Sequence, residues 1–405
     1  MYMDERLRES RVETSPGEPG LWSPEGPRFM LLQELCLRHY RNYAALSARF
    51  SPILNVVVGA NAQGKTNLLE AIGLLATTKS LRGSRDQDLI AFDAEFVTDT
   101  GVVVRERRPD VTLEVTIGRG QLKQVRIHSV RQHRLIDFIG QFNAVSFSSA
   151  DIEVVRGEPS LRRRFLDLEI SQIGPSYVHA LAHYRRVLEQ RNRLLKALRD
   201  GGQRGLLGDS LAAWDEQLLE HGSHMVQRRR LFVRHLEELA RPIHARLTEG
   251  EERLGLSYEC SFPLPEGGVE EIRTAFAQAL REHRTEELRR GISLVGPHRD
   301  DLLLEINGRD VRIYGSQGQQ RTAALSTRLA EIEVIRELTE EPPVCLLDDV
   351  LSELDDLRRA QLFDVTVGTC QTFLTCTHTR SLPAAVFANA RVYRVSAGML
   401  AEGGD

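Results

Sequence analysis

The sequence predicts an α/β fold: a mixed-sheet lobe built round a phosphate-binding loop, joined to a second, mainly helical lobe with a short antiparallel helical hairpin. Three observations predict it. A nearly unbroken apolar run, "ILNVVVG" (53–59), leads into the glycine-rich "GANAQGKT" (59–66) and then into helix-forming "TNLLEAIGLLA". That is the strand, loop and helix order of a nucleotide-phosphate site, with the strand buried on both faces. Between about 176 and 249 the composition shifts to Leu, Arg, Glu, Gln and His at helical spacing, and after Gly291 strand-like segments return.

Along the chain, residues 1–28 are polar and rich in Pro and Gly without a sustained period, so residues 1–29 are read as a disordered extension. Residues 30–150 form the first part of the nucleotide-binding lobe, with strands at Leu31–Leu37 and 53–59, a helix at about 65–76 and short strands over 96–135. Residues 151–290 form the helical lobe. Its hairpin, interrupted by "RDGGQRGLLGDS" (199–210), has arms of about 25–40 residues, roughly 40–60 Å, too short for a long coiled-coil arm. Residues 291–405 return to the first lobe through "DLLLEIN" (301–307), "PVCLLDDVL" (343–351) and "CQTFLTCTH" (370–378).

Composition narrows the function. With 405 residues and 41% hydrophobic content the chain sustains a large core. No apolar run approaches the roughly 20 residues of a membrane-spanning helix, and the start lacks the apolar stretch of a signal peptide. The five cysteines, Cys36, Cys260, Cys345, Cys370 and Cys376, form no Cys-x-x-Cys pair and read as buried thiols in a reducing, cytoplasmic setting. A net charge of −4 leaves any polyanion to a local basic patch.

The chemistry is carried by a few short stretches. In "GANAQGKT" the glycines Gly59 and Gly64 let the backbone curl so that N–H groups and the next helix N-terminus face phosphate oxygens. Lys65 reaches the β and γ phosphates, and the Thr66 hydroxyl binds Mg²⁺. "VCLLDD" (344–349) is an apolar strand ending in carboxylates: Asp348 suits the metal, and Asp349 orients or deprotonates the attacking water. Without a phosphate loop in the same chain, two such Asp would read as a turn or helix cap. "LSELD" (351–355) adds Asp355, and "FLTCTHT" (373–379) places His378 beyond an apolar strand, where a γ-phosphate sensor would sit. "YGSQGQQRTAAL" (314–325) puts Ser316, Gly318 and Gln319 at a helix start, an anion site far along the chain from Lys65.

This order of motifs resembles the ABC-type ATPases, in which the signature of one subunit closes on ATP held by another. "HYRNY" (39–43), "GANAQGKTNLLEAI" (59–72), "TKSLRGSRDQDLI" (78–90), "FSSADIEVVRGEPSLRRRFLD" (147–167), "GPHRDDL" (296–302), "YGSQGQQRTAALS" (314–326) and "LLDDVLSELD" (346–355) together resemble the RecF family of bacterial recombination mediators, from about Met30 to near the C-terminus. The resemblance implies an ABC-type head related to Rad50 and SMC heads without their long coiled coils. It implies ATP and Mg²⁺ as cofactors, an ATP-dependent homodimer, and weak, DNA-dependent or DNA-stimulated hydrolysis. It further implies binding to double-stranded DNA and single-strand/double-strand junctions, and joint action with RecR and RecO to load RecA.

Carried over by position, the resemblance implies that Arg41 approaches the nucleotide phosphates and that Gly59, Asn61, Gly64, Lys65, Thr66 and Asn67 bind nucleotide. Ser316, Gly318 and Gln319 act in trans beside Asp355, and the catalytic set is Lys65, Asp349, Ser316 and His378. Asp349 stands where most ABC-type ATPases have Glu, and its shorter reach fits slow hydrolysis. "SQGQQ" replaces the commoner Ser-Gly-Gly-Gln, and Gln141 lies in a plausible region for the glutamine loop.

For DNA, eight Lys or Arg lie between 101 and 134 on a strand-rich segment: Arg105, Arg107, Arg108, Arg119, Lys123, Arg126, Arg131 and Arg134, with Lys79, Arg82 and Arg85 extending the face. Arg162–Arg164 either extend it or pair internally between lobes, and Arg228–Arg230 meet a partner protein or water. Few aromatics point to duplex rather than single-strand binding. A transporter's nucleotide-binding subunit shares the motif order, but the helical insert, "GPHRDDL" and "TKSLRGSRDQDLI" argue against it. A P-loop kinase leaves 316–320 unexplained.

Overall fold

The computed structural model describes residues 29–201, 204–379 and 390–403, so the extension read over 1–28 lies outside the described residues. The chain opens with a hairpin, β1 (Leu31–Tyr40) and β2 (Tyr43–Arg49), then β3 (Leu54–Val58), the phosphate loop and α1 (Lys65–Thr77). Next come β4 (Phe96–Val104), β5 (Val111–Gly118), β6 (Gln124–Ile127), β7 (Val130–Gln132) and β8 (Ala144–Ser148). The helical region holds α2 (Ile152–Arg156), α3 (Pro159–Ile173), α4 (Pro175–Arg199), α5 (Arg204–Leu247), β9 (Leu254–Glu259) and α6 (Val269–Arg290). The chain returns through β10 (Asp301–Ile306), β11 (Arg309–Asp310), α7 (Val311–Tyr314), α8 (Gln317–Thr339) and β12 (Val344–Asp348). It ends with α9 (Asp356–Thr366), β13 (Thr372–Cys376), β14 (Ala390–Ser396) and β15 (Met399–Glu402).

The central sheet runs β15-β14-β3-β13-β12-β8, all parallel except β15. Its strands are apolar throughout because both faces are covered. Leu54, Val56, Leu347 and Leu374 face the core shared with the helical lobe, whereas Val57, Leu346 and Phe373 face the core shared with α1 and the antiparallel sheet β2-β1-β4-β5-β6-β7. In the parallel register Val58 lies beside Cys376, and Asp348 beside both Thr375 and Ser148. The carboxyl ends of β3, β13, β12 and β8 therefore meet on one edge, the place where open α/β sheets bind ligands.

Buried arginines tie the helical lobe together. Arg191 on α4 holds Asp215 on α5 at 2.7 Å and Glu287 on α6 at 2.6 Å, and Arg229 on α5 reaches Asp167 on α3 at 2.7 Å and the carbonyl of Pro297 at 2.6 Å. A buried arginine without such partners would be destabilising, so these contacts fix how the helices meet. The hairpin differs from expectation in one respect. α5 starts at Arg204, inside the stretch read as its interruption, and runs 44 residues, about 66 Å at 1.5 Å per residue. It packs on α4, α6, α8 and β9 instead of standing free.

Candidate nucleotide site and trans signature

The phosphate loop is shaped by contacts that tolerate only glycine at two points. Gly64, with φ 120°, lies against Asn42 and Tyr43, and the Tyr43 hydroxyl donates to its carbonyl at 3.0 Å. A Cβ on Gly59 would come within 2.5 Å of the Val395 carbonyl oxygen. Gln63 is braced from the C-terminal hairpin: its carbonyl accepts the Gly398 N–H at 3.1 Å and its side chain the Ala397 N–H at 2.7 Å. Lys65 crosses the loop to the carbonyls of Gly59 and Ala60, at 2.6 and 3.0 Å. Asn67 donates to Asn42, which donates to the Gln63 carbonyl, and Asn61 is exposed at the loop tip.

The Thr66 hydroxyl donates to Asp348 Oδ1 at 3.0 Å. Two oxygens in adjacent positions of an octahedron with 2.1 Å bonds are about 3.0 Å apart, and Mg²⁺ takes one or two protein oxygens plus phosphates and waters. These two residues therefore fit Mg²⁺. Among the described residues no group of three or more His, Cys, Asp and Glu is arranged to hold a metal by itself. Asp349 is exposed with φ 52°, its N–H bonded to Thr375 Oγ1 at 2.9 Å. His378 lies two residues past Cys376, whose carbonyl accepts the Gly59 N–H at 3.3 Å.

Arg41 is held against α1, the helix that follows this loop. Its guanidinium holds Glu70 of α1 through two hydrogen bonds of 2.5 and 2.8 Å and also reaches Ser84 at 2.8 Å, and ion pairing with Glu70 holds its pKa above the usual value against the cost of burial. To touch a phosphate it would have to give up part of this contact. Gln141 sits at the amino end of β8, the far edge of the sheet from the phosphate loop. The carboxyl end of β8 is Ser148, the residue beside Asp348.

The signature is exposed and does not bond to the loop. Ser316 caps α8: its hydroxyl accepts the Gln319 N–H at 3.2 Å, and Gln319 Oε1 accepts the Ser316 N–H at 2.9 Å. A Cβ on Gly318 would meet nothing closer than Ser316 Oγ at 3.8 Å, so this chain's own packing does not demand glycine there. Asp355 caps α9 and pairs with Arg358, which donates to Thr322 Oγ1 in the second turn of α8 at 2.6 and 3.0 Å.

The basic residues divide. Arg105, expected on a nucleic-acid face, is buried against Glu341 at 2.6 Å and has no surface to offer a duplex. Arg107 pairs with Glu340, Arg126 with Glu114, and Arg119 donates to the carbonyls of Ala91, Phe92 and Ala94. Arg82 and Arg131 are exposed. Lys79 is exposed between two lobes: Arg164 donates to the neighbouring Ser80 carbonyl at 2.7 Å and Lys123 to that of Thr78. Partial burial, then the positive charge of Arg185, lower the Lys79 pKa, with Asp167 opposing and Lys123 and Arg164 adding. Arg162 pairs internally with Asp301, and Arg229 is the buried tie described above. Sequence alone missed Arg185 beside Lys79, because no spacing links α4 to the end of α1.

The family model described as "RecF/RecN/SMC N terminal domain" matches residues 31–400. The chain belongs to the RecF family. It is 42% identical over 373 residues to the "DNA replication and repair protein RecF" of Lysinibacillus sphaericus, covering 92% of this chain and 99% of that one. With the protein of the same name from Oceanobacillus iheyensis it shares 41% over 374 residues, covering 92% and 100%. Its fold matches the solved "recombination mediator protein RecF-ATP in RecFOR pathway" with a TM-score of 0.86 and 33% identity, over 95% of this chain and 100% of that chain. The Smc head of Pyrococcus yayanosii, at 14% identity and a TM-score of 0.52 over 93% and 97%, shares the fold alone. The ABC-type head expected from the motifs is thus the fold observed. No helix among the described residues is long and apolar enough to cross a membrane.

Proposed function

We propose that this RecF-family chain is an ATP-driven DNA-binding protein of recombinational repair. Two copies close on ATP, the paired heads hold double-stranded DNA near single-strand gaps, and slow hydrolysis releases them. The observation that carries it is the exposed, self-capped Ser316, whose bonds stay on its own helix start while Lys65, Thr66 and Asp348 gather elsewhere. Lys65 and the amides of α1 bind the phosphates, Asp349 orients and takes a proton from the attacking water, and His378 serves as the sensor of the terminal phosphate. Thr66 and Asp348 would hold Mg²⁺, which when bound would supply charge neutralisation on the phosphate oxygens. The Ser316 hydroxyl of the second copy, its oxygen engaged by Gln319, turns its hydrogen to that phosphate.

The duplex contact in this reading is exposed Lys79 with Arg82, beside half-buried Arg164 and Lys123, of which Lys123 also pairs with Asp86. The solved relative is a recombination mediator of the RecFOR pathway. By likeness, RecR and RecO are the partners and RecA loading the outcome for this chain.

The test is the solution mass of Asp349→Asn by light scattering, in Mg²⁺ with ATP and then ADP. Dimers with ATP, monomers with ADP, and loss of the dimer on adding Ser316→Arg are expected. Monomers in both nucleotides, with duplex DNA present, would sink the reading.

A further inference from the structure

The signature end of α8 is held by side-chain contacts that run into the helical lobe. Gln319 uses both ends of its amide: Oε1 accepts the Ser316 N–H, and Nε2 donates to Glu252 Oε1, each at 2.9 Å. Glu252 precedes β9, and its other oxygen is 3.1 Å from Nε2 of His244. His244 lies wholly buried on α5, with Nδ1 3.0 Å from the Ser326 hydroxyl further along α8. The Ser326 hydroxyl oxygen is also 2.7 Å from the Thr322 carbonyl, and its one hydrogen serves either that carbonyl or His244. The path leaves α8 at its first turn and rejoins it at Ser326.

Donor accounting shows what this path does. An ionised carboxylate only accepts, so His244 Nε2 carries its proton toward Glu252. Burial holds the His244 pKa below the usual imidazole value, against Glu252 and aided by the positive charge of Arg358, so the ring stays neutral and Nδ1 takes the Ser326 hydrogen in place of the Thr322 carbonyl. A primary amide that flips exchanges its oxygen for an NH₂ group. Flipped, Gln319 would set a donor against the Ser316 N–H and undo the cap. An acceptor-only group on the far side forbids that flip.

We propose that Glu252, oriented by His244, is a positioning residue for the signature. By accepting from Gln319 it locks the amide in the orientation that caps Ser316, and so fixes the attitude of the Ser316 hydroxyl and the first amides of α8 toward a nucleotide on a second copy of the chain. This rests on the reading that the signature acts in trans.

The test places Glu252→Ala, Glu252→Gln and Gln319→Glu in the Asp349→Asn background. Dimer formation is titrated with ATP by light scattering, and binding of a fluorescent ATP analogue to the monomer is measured alongside. Glu252→Ala is expected to need about tenfold more ATP to dimerise, the loss of one charge-assisted hydrogen bond. Analogue binding by the monomer's own phosphate loop stays unchanged, a split that general loosening of the fold would not give. Glu252→Gln is expected to dimerise within about threefold of the parent, because its oxygen accepts from Gln319 while its NH₂ meets a His244 whose proton has moved to Nδ1.

Gln319→Glu keeps the cap but sets two carboxylates face to face. It is expected to show the same loss as Glu252→Ala, and stands in should that variant fail to fold. Parent-like dimerisation of Glu252→Ala or of Gln319→Glu, or a Gln variant as poor as the Ala one, overturns the positioning role. If Ser316→Arg still abolishes the dimer then, the trans reading survives alone. A dimer indifferent to Ser316→Arg overturns both.

Discussion

Thr66 Oγ1 lies 3.0 Å from Asp348 Oδ1 although 282 residues separate them in the chain. Thr375, on the strand between, donates to the same oxygen at 2.8 Å, so one carboxylate oxygen gathers hydroxyls from two directions while the other stays available. The pairing of β3 with β13 and of β13 with β12 brings this about.

Asp348→Asn keeps an oxygen for both hydroxyls but loses the charge. It is expected to weaken magnesium-dependent ATP binding about 10- to 100-fold while leaving the melting temperature near the parent's. Calorimetric titration with ATP, first in magnesium and then in chelator, checks it. Equal affinity in parent and variant would remove Asp348 from the metal role.

Arg41→Ala leaves Glu70, whose side chain is 1% exposed, with Ser80 as its remaining partner. Breaking one side of a buried pair costs about 3–5 kcal/mol, and the lower end applies because Arg41 is itself partly exposed. Urea unfolding should show that loss, and Glu70→Gln added to Arg41→Ala should recover part of it. Unchanged stability would mean that the pair is not the main task of Arg41.

Lys79→Ala and Arg105→Ala should separate cleanly. Removing one phosphate contact is expected to lower duplex affinity for all sequences and to reduce the slope of log affinity against log salt by about 1. Arg105→Ala is expected to destabilise the fold, since buried Glu341 loses its charge partner and keeps only the Arg107 N–H, without changing that slope. A salt slope altered by Arg105 and not by Lys79 would refute the assignment.

His298 gives a pH dependence. Its ring is buried between the Tyr184 hydroxyl at 2.7 Å and the Ser293 carbonyl at 3.2 Å, and burial pushes its pKa down to about 4 from 6.5. The unfolded chain then binds the proton more readily, so its contribution to stability is full above about pH 6.5 and is lost as pH falls toward 4. Over that window the loss is roughly 3 kcal/mol. Denaturation of His298→Gln from pH 7 to 4.5 should show a shallower fall than the parent, and parallel curves would contradict it.

Much of the nucleotide site was legible because its chemistry is local. Gly59 to Thr66 follow a strand and open a helix, and Asp348 and Asp349 end another, so spacing alone pointed to each half. The strand β2, "YAALSAR", escaped notice since its alanines favour no strand; pairing with β1 through Tyr40 and Tyr43 holds it. β9 was hidden inside a helical region because its partner β10 lies far along the chain. Arg105 misled because a charge in a strand reads the same whether it faces water or Glu341. Glu252 and His244 carry no motif, and only the packing of α5 on α8 brings them to Gln319.

The Ala397–Gly398 turn that clasps Gln63 also dictates a timetable for biosynthesis. A ribosome extending at 5–20 residues per second delivers Asp348 roughly 15 to 60 s after Thr66, and the clasp later still. Until then β3 has made neither of its neighbours, β13 or β14, and lies as an apolar strand with both edges open. The nascent polypeptide therefore passes through a long interval in which it is most exposed to wrong pairing and cannot capture nucleotide, and competence for ATP arrives late and all at once.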